Sequence, residues 1–199
     1  MKDELIPEQY VGKETNIEEE LSGGNERAAK EMFEESRTRL LNVNRWHDLA
    51  GGPSAAFQLT DEKGISVNRA VVEGDYFKID IPGPGNVEGK GYDWVRVEKI
   101  EEEHDEDHDL VLIRVRPAKE PSSGEHTTHF FTSEATSNFV VERRGSHIKA
   151  AVYGRNEKPN TETSNIVDKT RNTMVALGAF AGFSEIQWKK LVKGLLGKN

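Results

Sequence analysis

The sequence contains no cysteine among its 199 residues. Disulfide bonds, thiolate metal sites and cysteine nucleophiles are therefore excluded together. Long apolar runs are lacking too, since no stretch approaches the roughly 18 apolar residues that cross a bilayer. The first residues, Met1 to Pro7, also lack the apolar core of a signal peptide. We therefore expect a protein of the cytoplasm without a membrane span.

Apolar residues are scarce, at 35%, whereas charged residues make up 31% and the mean hydropathy is −0.70. The acidic residues concentrate before residue 36 and the basic residues after residue 143, within a net charge of −8. We expect residues 1–23 to form a disordered acidic arm that can be removed with little loss of stability. Residues 24–199 would form a single α+β domain. The two oppositely charged ends would attract each other, and the anionic whole disfavours a nucleic-acid partner.

A strand pattern occupies the middle of the chain. Phe77, Ile79 and Ile81 alternate with polar side chains, which is the period of a strand with one buried face. Turn residues separate several such segments, at 55–60, 65–72, 76–81, 92–100, 110–116, 137–142 and 147–153. Because no helical pattern lies between them, we predict a curved antiparallel sheet of six to seven strands.

Helical patterns flank this sheet on both sides. Apolar residues three and four apart predict an N-terminal helix over residues 25–48 and a C-terminal helix over residues 164–181. The segment from Phe183 to Trp188 combines a capping box with a hydrophobic staple. It therefore predicts the start of a second C-terminal helix.

The densest group of metal-capable side chains lies in residues 101–109, which hold seven carboxylates and two histidines. We interpret this run as a solvated hairpin loop, because no glycine marks a calcium loop and the carboxylates exceed what one ion can use. His126 and His129 would face opposite sides of a strand. No Ser-His-Asp set or carboxylate pair has a catalytic spacing. We therefore predict no metal site, no cofactor and no catalytic residue.

Three segments carry a resemblance to a known family. Val71-Val-Glu-Gly-Asp75, Trp94-Val-Arg-Val97 and Phe139-Val-Val-Glu-Arg143 follow a tryptophan-containing helix and precede a terminal helix. In this order they resemble helix-grip domains of the START and polyketide-cyclase type, over residues 25–180. The resemblance implies an antiparallel sheet wrapped around a C-terminal helix, with an apolar cavity between them. A small, partly closed β-barrel of the SH3-like or OB type with helical additions is the alternative architecture.

Two function classes remain open. In the first, the chain is a non-enzymatic binder that holds an apolar small molecule or lipid between sheet and helix. The candidate ligand-binding residues are four cavity walls, Tyr76, Trp94, Tyr153 and Phe180, and three rim residues that would orient a head group, Arg155, Asn156 and Glu157. The rim residues could equally hold their own loop by local hydrogen bonds. In the second class, the chain is a structural or interaction module, such as a homo-oligomer, that assembles through its C-terminal helices.

Overall fold

The computed structural model describes residues 5–51, 54–80, 92–122, 131–159 and 185–198. Within these ranges the chain forms seven strands, three α-helices and one 3-10 turn. In chain order they are β1 (Lys13–Ser22), α1 (Glu26–Leu41), the 3-10 turn (Val43–Arg45), α2 (Trp46–Ala50), β2 (Ala56–Thr60), β3 (Tyr76–Asp80), β4 (Tyr92–His104), β5 (His108–Pro117), β6 (Thr136–Arg144), β7 (His147–Glu157) and α3 (185–195).

All seven strands belong to one antiparallel sheet with the order β1-β7-β6-β5-β4-β3-β2. Strands β2 to β7 follow each other as a meander, and β1 joins the far edge beside β7. The edges β1 and β2 do not pair with each other, so the sheet is open and the barrel alternative is wrong. The helix pair between β1 and β2 and the helix after β7 complete the predicted helix-grip arrangement.

Strand β1 corrects the prediction that residues 1–23 are disordered. It pairs with β7 from Lys13 to Ser22 and buries Ile17 in the main core, with Leu21 packed beside it. The glutamates on β1 remain exposed or half-exposed. A strand whose stability comes from a ladder with a segment 125 to 144 residues away leaves only a weak local pattern, which is why the sequence alone did not indicate it.

The segment 65–72, predicted as a strand, is irregular apart from a single bridge between Ser66 and Thr60. Two of its backbone amides donate hydrogen bonds to other elements. The amide of Val67 donates to the carbonyl of Leu59 at 3.0 Å, and that of Val71 donates to Leu41 at 3.0 Å. This segment therefore ties the edge strand β2 to the end of α1.

The structure confirms helix in the region of the predicted N-terminal helix, but divides it into α1, the 3-10 turn and α2. Asn25 caps α1 by accepting a hydrogen bond from the amide of Ala28 at 2.9 Å. The break places Asn44 against β2, where its Oδ1 accepts from the amide of Leu59 at 2.7 Å and its Nδ2 donates to the carbonyl of Val67 at 2.8 Å. The break therefore lets one asparagine side chain cover an edge of the sheet.

Trp46, at the start of α2, shows how strongly the sheet is curved. Its fully buried ring lies 5.4 Å from Phe57 of β2, 5.6 Å from Phe77 of β3 and 4.6 Å from Phe139 of β6, measured between ring centroids. In a flat sheet β2 and β6 would be about 19 Å apart, four strand spacings. One indole contacts both strands only because the sheet curls around it.

Helix α3 confirms the apolar pattern expected for the C-terminal helix. Trp188 packs on Phe57 and Phe139 with centroid distances of 6.0 and 5.3 Å, and the sheet thus wraps around α3. Gln187 Oε1 accepts a hydrogen bond of 2.9 Å from the amide of Ala55, which links α3 to the start of β2. Gly194 lies so close to the carbonyl of Leu49 that a side chain there would clash. The helix predicted over 164–181, Phe183 and Ser184 lie outside the described residues.

Candidate ligand-binding site

The sheet has a concave face toward the helices and a convex face on the other side. Strands β3, β4 and β5 present a set of apolar side chains on the concave face, which we call the concave wall: Phe77, Ile79, Val95, Val97, Ile113 and Val115. Helices α1 and α2 pack mainly on β2, β6 and β7 instead. Trp46 bounds the wall at Phe77. The concave wall is therefore a buried apolar surface to which α1 and α2 contribute only part of the packing.

Charged groups form ion pairs at one end of the concave face, beneath α1. Arg37 binds Glu102 with two hydrogen bonds of 2.5 and 2.9 Å, which lower the pKa of Glu102. The fully buried Arg143 donates to Asp109 at 2.5 Å and to the carbonyls of Glu106 and Gly145 at 3.0 Å. These contacts fix the β4–β5 turn to the β6–β7 turn, beside an open cleft of about 550 Å³ lined by Lys30, Glu31, Glu34 and Asp109.

The predicted solvated loop of residues 101–109 is mostly strand, since β4 runs to His104 and β5 starts at His108. Among the described residues no group of three or more histidine, aspartate or glutamate side chains is arranged to hold a metal ion. His104 instead lies 3.1 Å from Asp109, and its ring packs edge-on against Phe33. The run therefore supports the hairpin and α1. His126 and His129 lie outside the described residues.

Tyr76 and Trp94, two of the predicted wall residues, lie on the convex face. Tyr76 precedes Phe77 and Trp94 precedes Val95, and both of these neighbours belong to the concave core. The two convex residues pair in the ladder with Arg96 and Lys78 respectively, not with the concave wall. Both faces of these strands carry large apolar groups, so alternation alone could not decide which one is concave. Phe180 lies outside the described residues.

Tyr153 also lies on the convex face, in a second apolar cluster. Its neighbours there are Leu5, Ile6, Leu110, Leu112, Val140 and Ala151. The phenol donates a hydrogen bond to Glu18, and burial together with this bond raises its pKa. The gap between residues 5–6 and this face measures about 20 Å³, which is room for a single water molecule. Tyr153 therefore fixes the N-terminal segment and does not line a ligand-sized space there.

Arg155, Asn156 and Glu157 lie together, but they bind the N-terminal segment of their own chain. Asn156 Oδ1 accepts from the amides of Tyr10 and Val11 at 2.9 and 3.2 Å, and its Nδ2 donates to the carbonyl of Glu8 at 3.0 Å. Its backbone has φ of 56°, a left-handed conformation that asparagine tolerates better than most residues.

The two residues that flank Asn156 hold the beginning of β1. Arg155 donates to the carbonyl of Thr15 at 3.2 Å and pairs with Glu14 at 3.3 Å. Glu157 accepts a hydrogen bond of 2.6 Å from the Thr15 hydroxyl, while burial raises the pKa of its carboxyl. Among the described residues, the three predicted rim residues therefore contact a distant segment of the chain, and not only their own loop. The sequence carries no signal of this role, because the left-handed conformation of Asn156 is visible only in the structure.

Replacing Asn156 should separate its two contributions. Asn156→Gly loses the side-chain hydrogen bonds but keeps the left-handed backbone, and we expect the free energy of unfolding to fall by about 2 kcal/mol. Asn156→Ala loses the same bonds and adds strain, so it should cost about 1 kcal/mol more. Urea unfolding measures both values. Two variants as stable as the wild type would show that residues 8–11 are not anchored there.

A buried carboxylate at the convex face should make stability depend on pH. Burial by itself would raise the pKa of Glu142, but hydrogen bonds from Lys149 at 2.8 Å, Arg144 at 2.7 Å and His108 at 3.1 Å outweigh it and lower the pKa from 4.5 to about 2. Because the pKa is lowered on folding, this stabilisation is complete above about pH 4.5 and is lost as the pH falls toward 2.

We expect Glu142→Gln to cost about 2 kcal/mol at pH 7. The difference from the wild type should shrink between pH 4.5 and 2, and urea unfolding at several pH values measures it. Taking the difference between the two proteins cancels the opposite effect of Glu157, whose pKa is raised. A difference that stays constant across this range would contradict the assignment.

Comparison with known proteins gives a likeness of fold only. No protein-family model matches the chain, and no curated protein matches it significantly. A hypothetical protein of Helicobacter pylori has a similar structure, with a TM-score of 0.51 and 12% identity over 92% of this chain and 87% of that one. A protein of Bacillus thuringiensis reaches a TM-score of 0.44 with 14% identity, over 92% of this chain and 99% of that one. Norcoclaurine synthase of Thalictrum flavum reaches 0.37 with 14% identity, over 94% and 99%.

The fold class is thus defined by the sheet order and by the packing of α3, and the Helicobacter pylori structure agrees with it. At 12% identity that agreement carries no activity or ligand to this chain. None of the described helices is long and apolar enough to cross a membrane.

Proposed function

We propose that the chain binds an apolar small molecule against the concave wall, without chemical conversion of that molecule. The observation that supports this proposal is the run of apolar side chains on three adjacent strands, Phe77, Ile79, Val95, Val97, Ile113 and Val115. The wall is part of the buried core, with Phe77, Val97, Ile113 and Val115 at most 3% exposed, so a ligand that lies against it would be enclosed inside the molecule. Pockets for small molecules are mostly apolar and take their affinity from the burial of such surface.

The distribution of charged groups on the concave face also favours the concave wall as the ligand-binding site. The end beneath α1 carries the ion pairs of Arg37 with Glu102 and of Arg143 with Asp109. Trp46 fills the space toward β2 and β6. A ligand at the wall would therefore lie beside an aromatic side chain that reports binding through its fluorescence.

Helix α3 does not favour the alternative of assembly through the C-terminal helices. Its apolar face is used inside the molecule, where Trp188, Leu191, Val192 and Leu195 belong to the main core or pack against it. Ile186 is the one large apolar side chain of the described part of α3 that is more than half exposed. A single exposed side chain is ordinary for a protein surface.

The proposal is tested by filling the proposed pocket with a larger side chain and measuring ligand binding. With 1-decanol as the probe, we expect a saturable change in tryptophan fluorescence in the wild type. Ile79→Phe adds volume to the concave wall and should weaken binding by about tenfold or more. Lys78→Phe places the same ring on the convex face of the same strand and should leave binding unchanged. The absence of saturable binding in the wild type, or equal weakening by both variants, would overturn the proposal.

A further inference from the structure

We propose that Arg114 of β5 forms a second binding site, on the convex face of the sheet, and that this site takes a carboxylate. Arg114 lies between Ile113 and Val115, which both belong to the concave core. Its own side chain therefore lies on the other face, as that of Leu112 does. It is half-buried. The site is separate from the concave wall and does not depend on a ligand there.

The guanidinium group of Arg114 is held in one orientation by two acceptors that carry no charge. Its Nε donates to Asn138 Oδ1 at 2.9 Å, and its Nη2 donates to the carbonyl of Leu5. Asn138 is fully buried, and its Nδ2 donates to the carbonyl of Tyr153 at 3.0 Å, so its amide oxygen is turned toward Arg114. The Nη1 of Arg114 has no acceptor among the described residues and is not sealed from solvent. A fixed donor is thus open to a further acceptor.

The positive charge of Arg114 is not matched by a carboxylate in the described part of the chain. The two acidic residues that act on it already have basic partners: Glu98 accepts from Arg116 at 2.5 Å, and Glu101 pairs with Lys99. Burial lowers the pKa of Arg114, and the attraction of Glu98 and Glu101 does not outweigh it. The three basic and two acidic residues of this cluster therefore leave one positive charge in excess.

The chemistry of a half-buried guanidinium decides the class of ligand. A planar anion that accepts hydrogen bonds from it gains charge-assisted bonds, which are stronger than bonds between neutral groups. Because the excess is a single charge, a monoanion neutralises it. A phosphate dianion would bring a second negative charge close to Glu98 and Glu101. A carboxylate therefore fits the site better than a phosphate does.

The experiment is an NMR titration of the full chain with sodium acetate at pH 7, in which sodium chloride keeps the ionic strength constant. The side-chain amide signals of Asn138 report on the site, because its Oδ1 accepts from Arg114. We expect these signals to shift in a saturable way, with half-saturation at about 10–100 mM acetate. Sodium phosphate at the same ionic strength should bind about threefold more weakly or less. No saturable shift with acetate, or tighter binding of phosphate, would overturn the proposal.

Two variants assign the effect to one residue. Arg114→Gln keeps a hydrogen-bond donor but removes the charge, and it should abolish the saturable shift of Asn138. Arg96→Gln is the matched control, because it removes the same charge from an exposed residue on the same convex face. It should leave the half-saturation concentration within about twofold. A shift that persists in Arg114→Gln, or that disappears equally in Arg96→Gln, would show that general attraction to basic groups explains the binding.

A measurement on the wild type covers the case in which Arg114→Gln does not fold, which a thermal unfolding curve will show. The Nε–Hε signal of Arg114 should saturate at the same acetate concentration as the Asn138 signals, whereas that of Arg96 should change linearly. A linear change at both arginines would assign the effect to the ionic atmosphere and overturn the role of Arg114. None of these outcomes bears on the concave wall, because its probe, 1-decanol, carries no charge.

Discussion

Deletion of residues 1–23 should lower the melting temperature by about 10 °C or more, or prevent folding. The deletion removes a complete edge strand and leaves the backbone of β7 without its partner from His147 to Glu157. It removes the buried side chains of Leu5, Ile6 and Ile17, each worth about 1.5–3 kcal/mol. It also uncovers the convex apolar cluster around Tyr153. Thermal unfolding followed by circular dichroism measures the effect.

Two point variants of β1 serve as controls, because the deletion removes many residues at once. Ile17→Ala removes the one fully buried apolar side chain of β1 and should cost about 2–4 kcal/mol. Asn16→Ala changes the neighbouring exposed side chain and should cost less than about 0.5 kcal/mol. If the truncated chain keeps the melting temperature of the full chain, β1 does not contribute to the stability of the sheet and residues 1–23 are the dispensable arm that their composition suggests.

Trp46→Ala should be the most damaging single substitution, with a loss of about 3–5 kcal/mol in the free energy of unfolding. The indole fills the space inside the curved sheet and contacts aromatic rings on β2, β3 and β6. It also donates a hydrogen bond of 3.0 Å from Nε1 to the carbonyl of Leu40, which links the two halves of the broken helix. Urea unfolding followed by circular dichroism measures the loss.

Trp46→Phe and Arg45→Ala complete this test. Phenylalanine keeps an aromatic filler but leaves the Leu40 carbonyl without its donor, so an intermediate loss of about 1–3 kcal/mol is expected. Arg45→Ala removes only an exposed ion pair with Asp48 and should cost less than about 1 kcal/mol. Equal losses in Trp46→Ala and Arg45→Ala would show that the indole is not the filler of the curved sheet.

The sheet could be predicted from the sequence wherever neighbours along the chain carry the pattern. Strand β3 alternates cleanly at Phe77 and Ile79, and a short turn joins β6 to β7. These three strands could therefore be predicted from the sequence, with errors only at their ends. The antiparallel order followed because no helix separates these strands. Their faces could not be assigned, because Trp94 and Val95 are both large apolar residues and only the curvature of the whole sheet decides which one faces inward.

The missed features depend on contacts between the two ends of the chain. Three consecutive glutamates, Glu18 to Glu20, interrupt the alternation in β1, and Ile17 and Leu21 are four apart, a spacing that fits a helix equally well. The strand forms because β7 offers a ladder, and Asn156 then fixes the residues that precede it. No local pattern around residue 10 or residue 156 contains this information. The proposed ligand-binding site differs from the one predicted from the sequence for the same reason, because the predicted rim residues bind the N-terminal segment.

The most direct test of the account is a methyl NMR titration of the isoleucine-, leucine- and valine-labelled protein with 1-decanol. Binding at the concave wall should shift the methyl signals of Ile79, Val95, Val97 and Val115 in a saturable way. The signals of Leu110, Leu112 and Val140, on the opposite face of the same sheet, should stay within the change seen for distant residues. Shifts confined to the convex face, or no saturable shift on either face, would contradict the proposal that this chain holds an apolar molecule inside its curved sheet.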